Sequence, residues 1–175
     1  MELDKAIKTR RTIRSFSRAA NREEIRGIIE AALYAPSAMN SQPWEFVVIE
    51  RQEKKAKIRG LYDKARNLLG IYRQDSEFIE KGTIVIIVSP KEVKNARISC
   101  AFALQNMLLK ATELKLSGVI LGVLNSEKIE RELAEIIKLP SNKKISFVAV
   151  FGKPNKRPTE KEIKSLERII HFDVF

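Results

Sequence analysis

One cysteine, one histidine and one tryptophan among 175 residues leave this chain few of the side chains that most often carry catalysis. Cys100 has no second cysteine to pair with, and its apolar neighbours Ala101 and Phe102 mark it as a packed thiol rather than a nucleophile. One cysteine and one histidine do not make a conventional zinc site, and neither H-x-x-x-H nor C-x-x-C spacing occurs. No metal is therefore expected. His171, between Ile170 and Phe172, reads as a packing residue rather than an acid or base. The seven glycines form no G-x-G-x-x-G and no Walker sequence, which excludes the Gly-rich phosphate loops. No stretch reaches the ~18 to 20 consecutive apolar residues of a membrane span. Lys5, Lys8 and Arg10 interrupt the N-terminus before a signal-peptide core could form, so a cytoplasmic protein is expected. The length suits a single domain over residues 1–175, burying roughly two-thirds of its unfolded surface.

Positive charge is plentiful. Thirty-three Lys and Arg against 22 Asp and Glu give a formal net charge of +11. The densest part is 51–66, where Arg51, Lys54, Lys55, Lys57, Arg59, Lys64 and Arg66 read as one exposed helix face. No aromatic interleaving, zinc finger or RNA-binding signature accompanies it, so a solvated face outweighs a nucleic-acid site.

Two segments carry chemistry. Residues 35–44, Ala-Pro-Ser-Ala-Met-Asn-Ser-Gln-Pro-Trp, form a polar loop between a helical pattern and a β-rich run. Pro36 and Pro43 stiffen it, and the amides of Asn40 and Gln42 offer the donors and acceptors that a flat heterocycle needs. A Pro-bounded connection in which Trp44 starts a core strand is equally compatible with these residues. Upstream, Thr9-Arg10-Arg11-Thr12-Ile13-Arg14-Ser15 gathers three guanidiniums and several hydroxyls into a compact anion site, or into a solvated basic face.

In order, separation and wording the two segments resemble the nitroreductase family of FMN-dependent oxidoreductases. Further along, 103–111 is similar to that family's central helix, 119–124 to its Gly-Leu-Gly-x-x-Trp-x-Gly strand, and Phe151-Gly152-Lys153-Pro154 to its Gly-Tyr-Pro turn. The resemblance implies that Arg10, Arg11, Thr12 and Arg14 lie near the flavin phosphate and ribityl chain. It places Pro36, Ser37, Asn40 and Gln42 beside the ring, and the backbone of Leu121 and Gly122 at the flavin N5. Lys164 falls where the family often adds one more base to the phosphate. It implies FMN as cofactor, NADH or NADPH as reductant, no catalytic side chain, and a homodimer with flavin at the interface. The chain departs from the family at Lys115-Leu116-Ser117, where Gly-Leu-Gly is usual, and at Ile120 and Ser99. It is also short, lacking the inserted helices that cover the site in longer members.

The coarse pattern agrees. Helices are predicted over 2–9, 22–34 with Asn21 as cap, 54–69, 96–115 and 126–137 opening at Ser126. In 54–69 the stripe Ile58, Leu61, Tyr62, Ala65, Leu68 and Leu69 should be buried. Strands are predicted over 45–50, 83–88, 118–124 and 145–151. The run 83–88 is apolar throughout, so both its faces should be covered, and 96–115 is apolar nearly all round, as for a helix buried on every side. The fold expected is α+β, one mixed sheet flanked by helices. The function expected is hydride transfer from NAD(P)H through flavin to a nitroaromatic, quinone or similar acceptor by a ping-pong mechanism. The alternative is a non-catalytic flavin-binding or basic nucleic-acid-associated protein on the same fold.

Overall fold

A computed structural model describes residues 2–71, 75–125, 127–156, 161–165 and 168–173. The chain runs α1 (Leu3–Thr9), β1 (Phe16–Ala19), α2 (Arg22–Leu33), β2 (Glu45–Ile49), α3 (Gln52–Leu68), α4 (Phe78–Lys81), β3 (Thr83–Pro90), α5 (Ala96–Glu113), β4 (Ser117–Ile120), α6 (Glu127–Ile137) and β5 (Lys143–Pro154). Short 3-10 turns occupy Ala38–Asn40 and Gly122–Asn125.

β3 and β5 form the centre of a five-stranded sheet. β3 alternates between two apolar layers. Ile84, Ile86 and Val88 join Ile58, Tyr62, Phe78, Ile129 and Leu133 beneath α3, α4 and α6. Val85 and Ile87 join Ile28, Trp44, Cys100, Leu104 and Met107 beneath α2 and α5. Both faces are covered, as the unbroken apolar run requires. All the pairings among the described residues are nevertheless antiparallel, in place of the mixed sheet expected. A continuous apolar strand reports two-sided burial and carries no information on strand direction.

Strand limits differ in three places. β1 was not predicted; it pairs with the far end of β5, and Phe151 to Pro154 belong to that extended strand rather than to a turn. Gly152 is required there, since a Cβ would stand 2.7 Å from Phe16 Cγ and 2.8 Å from the Arg18 carbonyl. β4 ends at Ile120, and the expected remainder of that strand coils into the 3-10 turn. The cap expected at Ser126 lies outside the described residues.

The helices correct the predicted burial. In α3, Ile58, Leu61, Tyr62 and Ala65 are buried, but Leu68 and Leu69 are 68% and 62% exposed at the fraying end. α5 is not buried on every side: Ile98 and Phe102 are 54% and 48% exposed on one face. Cys100 is fully buried and burial pushes its thiol pKa up, as for a packed thiol.

Two helix ends deserve their chemistry in full. At α2, Asn21 Oδ1 accepts the Glu24 N–H at 2.9 Å and Glu24 Oε2 accepts the Asn21 N–H at 2.8 Å, a reciprocal capping box. Arg18 then grips both Glu24 oxygens, at 2.8 and 2.7 Å, and holds that carboxyl below the usual carboxylate range. At the end of α5, Leu116 N–H reaches Ala111 O at 2.8 Å and Lys115 N–H reaches Thr112 O at 3.0 Å. This is a Schellman closure with Lys115 at φ 59°, where glycine is usual.

Asn21→Ala is expected to cost about 1 kcal/mol, read from the urea midpoint. Glu24, whose folded pKa is depressed, adds stability above its unfolded pKa and loses it as pH falls through the folded one; Glu24→Gln should flatten the acid limb of Tm against pH. Lys115→Gly, by relieving the left-handed backbone, should raise the urea midpoint by up to about 1 kcal/mol in stability.

Candidate functional site

The Arg-rich segment leaves α1 at Arg10, whose N–H still bonds to Ala6 O, and runs extended into β1. Arg11 turns back on the helix it follows. Its Nη1 donates to Lys8 O at 2.7 Å and Arg10 O at 2.8 Å, capping carbonyls that the helix end leaves free. Arg11 and Ile13 line a cleft of about 780 Å3 that Arg10, Thr12 and Arg14 do not line. The alternation of an extended chain thus divides the basic cluster between two sides. Among the described residues Arg10 and Arg14 have no carboxylate partner.

Ser117, one of the departures from Gly-Leu-Gly, ties this segment down. Its hydroxyl donates to Arg11 O at 3.0 Å, linking the segment to the start of β4. A bond across that separation leaves no trace in sequence spacing. At the far end of β4, Leu121 is buried and its N–H is already bonded to Val148 O at 2.9 Å. Of the two backbone positions expected to offer an amide, that leaves Gly122, which opens the 3-10 turn; a Cβ there would meet nothing within 4 Å.

The loop before β2 is strained. Met39, Asn40 and Gln42 have φ of 51°, 53° and 42°, and only Asn tolerates that region readily. Ser37 holds the loop: its carbonyl accepts the Asn40 N–H at 3.0 Å and its hydroxyl the Gln42 N–H at 3.0 Å. Gln42 Nε2 donates to Asn40 Oδ1 at 3.2 Å, so the two amides stand together on an exposed surface, preceded by Met39 at 99% exposure. Pro36 is exposed, whereas Pro43 and Trp44 are buried and anchor the loop to the α2–α5 layer. Trp44 thus leads into a core strand while the amides of Asn40 and Gln42 stay exposed.

Two of the positions expected at the site stand on opposite flanks of the sheet. Gly122 follows β4 on one side of β5, while the amide loop precedes β2, beyond β3 on the other. Three strand spacings of ~4.8 Å put β4 and β2 about 14 Å apart. The cleft beside residues 10–14 includes nothing from 36–42. Lys164 is exposed in an irregular segment, and His171 is exposed rather than packed, with Ile169, Ile170 and Phe172 exposed beside it.

The basic run of α3 is not a free cationic face. Lys55 and Arg66 are buried, Arg66 over the Tyr62 ring, and Lys57, Arg59 and Lys64 pair with Glu53, Glu80 and Glu132. Among the described residues no group of three or more His, Cys, Asp or Glu could hold a metal, and no helix is long and apolar enough to cross a membrane.

Similarity to known proteins follows the same geometry. A protein of Archaeoglobus fulgidus provisionally named NADH dehydrogenase/NAD(P)H nitroreductase is 33% identical over 155 residues, which is 86% of this chain and 84% of that one. An iodotyrosine deiodinase of Thermotoga neapolitana is 25% identical over 96% of both chains. A crystal structure of oxidised iodotyrosine deiodinase bound to FMN and 3-iodo-L-tyrosine superposes with a TM-score of 0.86 at 22% identity, covering 99% of this chain and 100% of that one. The nitroreductase family model matches residues 7–153, from within α1 to the next-to-last residue of β5. By that match, which spans both the Arg-rich segment and the amide loop, the chain belongs to the nitroreductase family.

Proposed function

We propose that the protein is an FMN-dependent oxidoreductase that takes hydride from NADH or NADPH and delivers it to a small organic acceptor, such as a nitroaromatic or quinone, in a ping-pong cycle. The observation that carries this reading is a division of labour across the sheet. Uncompensated guanidiniums and an open glycine turn lie at one edge, and a strained loop presenting two amides lies at the other. Each is half of a site, and neither half has another evident use.

The residues present fit the cofactor. Arg10 and Arg14 would hold its phosphate through charge-assisted, forked hydrogen bonds, with the Thr12 hydroxyl beside them and Lys164 as a further cation. Gly122 leaves room for a ring at the backbone, and its N–H is the group that would meet a ring nitrogen. Asn40 and Gln42 would pair with polar ring or ribityl atoms, pre-set by Ser37. FMN when bound supplies the two-electron chemistry, which accounts for a site without an acid, base or nucleophile among its side chains. The protein's task is then to bind, orient and keep one ring face accessible.

A homodimer would bring the halves together. The exposed apolar face of α5, Ile98 and Phe102, together with Leu33, Tyr34 and Met39 nearby in sequence to the amide loop, supplies apolar surface that a second copy would cover. The basic-surface reading has less behind it, because the cations of α3 are largely paired or buried.

Purified protein should therefore carry a flavin absorption spectrum that NADH or NADPH bleaches. Arg14→Ala should weaken FMN by about 10- to 100-fold, the worth of a charge-assisted hydrogen bond, and Gln42→Ala by less. Equal retention by both variants and the parent would remove the phosphate assignment. Phe102→Glu should yield a monomer by light scattering and lose FMN with it; a monomer that keeps FMN at full affinity would show the site to be complete in one chain.

A further inference from the structure

We propose that the cleft on the Arg11 side of the N-terminal segment is a second anion site, which takes the phosphates of a nucleotide-sized organic diphosphate. It rests on the flavin reading only in that the flavin phosphate is assigned to Arg10, Thr12 and Arg14.

The charge at this cleft is one-sided. Lys5, Arg11, Lys115, Lys153 and Lys156 line it, and among the described residues no Asp or Glu does. Several cations on other faces lie against a carboxylate: Arg18 on Glu24, Arg22 on Glu50, Arg59 on Glu80, Lys64 on Glu132, and Lys143 on Glu45. Among the described residues the four lysines of the cleft form no such pair. Lys153 reaches Glu24 only as a distant charge. Four lysines around one cavity repel one another, and a polyanion removes that repulsion.

The cleft also has a shape and a floor. Its volume of about 780 Å3 accommodates a nucleotide, and Ile13, Leu116 and Pro154 give it an apolar base on which a ribose or ring can rest. The hydroxyls around it are already committed. Thr9 donates to Lys5 O at 2.7 Å, Thr112 to Leu108 O at 2.9 Å, and Ser117 to Arg11 O at 3.0 Å. Recognition therefore falls to ammonium groups on flexible stems, which read charge density rather than a fixed fork geometry. That favours a diphosphate over a monophosphate.

Lys115 is the most telling member. It occupies a left-handed position at the end of α5 where its side chain costs the backbone something that glycine would not. The helix dipole offsets part of that cost, and the cleft supplies a use for the rest. The same chemistry could come from the diphosphate of the pyridine dinucleotide or from a free nucleoside diphosphate.

The test is calorimetric titration of ADP and of inorganic pyrophosphate into FMN-saturated protein, with flavin followed separately by its absorbance. Both probes should bind, more weakly as salt rises, and ADP more tightly than AMP. Lys115→Gly and Lys153→Ala should each weaken ADP at least fivefold with FMN content unchanged, and Arg14→Ala should leave ADP affinity as it was while FMN is lost. In the same two variants, a raised KM for NADH or NADPH assigns the site to the reductant; an unchanged KM assigns it to a free nucleotide. Absence of ADP binding, unchanged binding in both lysine variants, or displacement of FMN by ADP would each overturn the proposal, the last by showing one phosphate site rather than two. A chain that holds no FMN but still binds ADP at Lys115 would sink the flavin reading and leave this one standing.

Discussion

The antiparallel pairing of β3 with β5 is the constraint from which the remaining architecture follows. It runs from Thr83 opposite Phe151 to Pro90 opposite Lys143, and alternate residues of both strands enter separate apolar layers. Each fully buried Ile or Val there contributes roughly 1.5–3 kcal/mol of apolar transfer, so a one-residue slip would exchange the contents of two cores at once. Register is therefore fixed from both sides. With it are fixed β4 and β2 on opposite flanks, and hence the separation of the glycine turn at Gly122 from the amide loop at Asn40 and Gln42. The distance between these two positions is a consequence of sheet order and not of either loop's own conformation.

Much of this was legible in the sequence because it rests on local rules. The capping box at Asn21 and Glu24 is a four-residue signature, and the structure has both of its hydrogen bonds. The run 83–88 announced two-sided burial, and the structure covers both faces. What escaped depends on partners far along the chain. Strand direction is set by the connections and not by composition. β1 owes its existence to β5, more than a hundred residues away, and the Ser117 bond to Arg11 spans a similar separation. Lys55 and Arg66 looked solvated because Lys and Arg usually are, yet the packing of α3 against its neighbours takes them inside. Leu121 is a subtler case: the family resemblance pointed to the backbone of Leu121 and Gly122 together, and it is the Val148 carbonyl that occupies the Leu121 N–H.

The candidate site segments share a physical character that distinguishes them from the core. The sheet and its two helix layers depart from local preference mainly at helix boundaries, at Asn95, Lys115 and Lys138, whereas the loop before β2 gathers three left-handed residues, Met39, Asn40 and Gln42, into four positions. Each such residue costs on the order of 1 kcal/mol or more, and the structure around it must enforce it. The enforcement is visible at both places: Ser37 and the buried Trp44 clamp the loop, and two Schellman hydrogen bonds clamp Lys115. Conformational cost accumulates where side chains must be presented, and it is sustained by the order of the sheet behind it.

Exposure tells a parallel story about what is missing from a single chain. A helix as apolar as α5 would ordinarily bury its whole circumference, and here it buries all but the face carrying Ile98 and Phe102. Met39, at the tip of the amide loop, is almost fully solvated. Leaving such groups in water forfeits hydrophobic stabilisation that association would recover, and covering them with a second copy would set the amide loop of one chain against surface the other chain supplies. If a second copy covers this surface and shares in holding flavin, stability and cofactor affinity become linked quantities: whatever favours the pair of chains then favours the holoprotein.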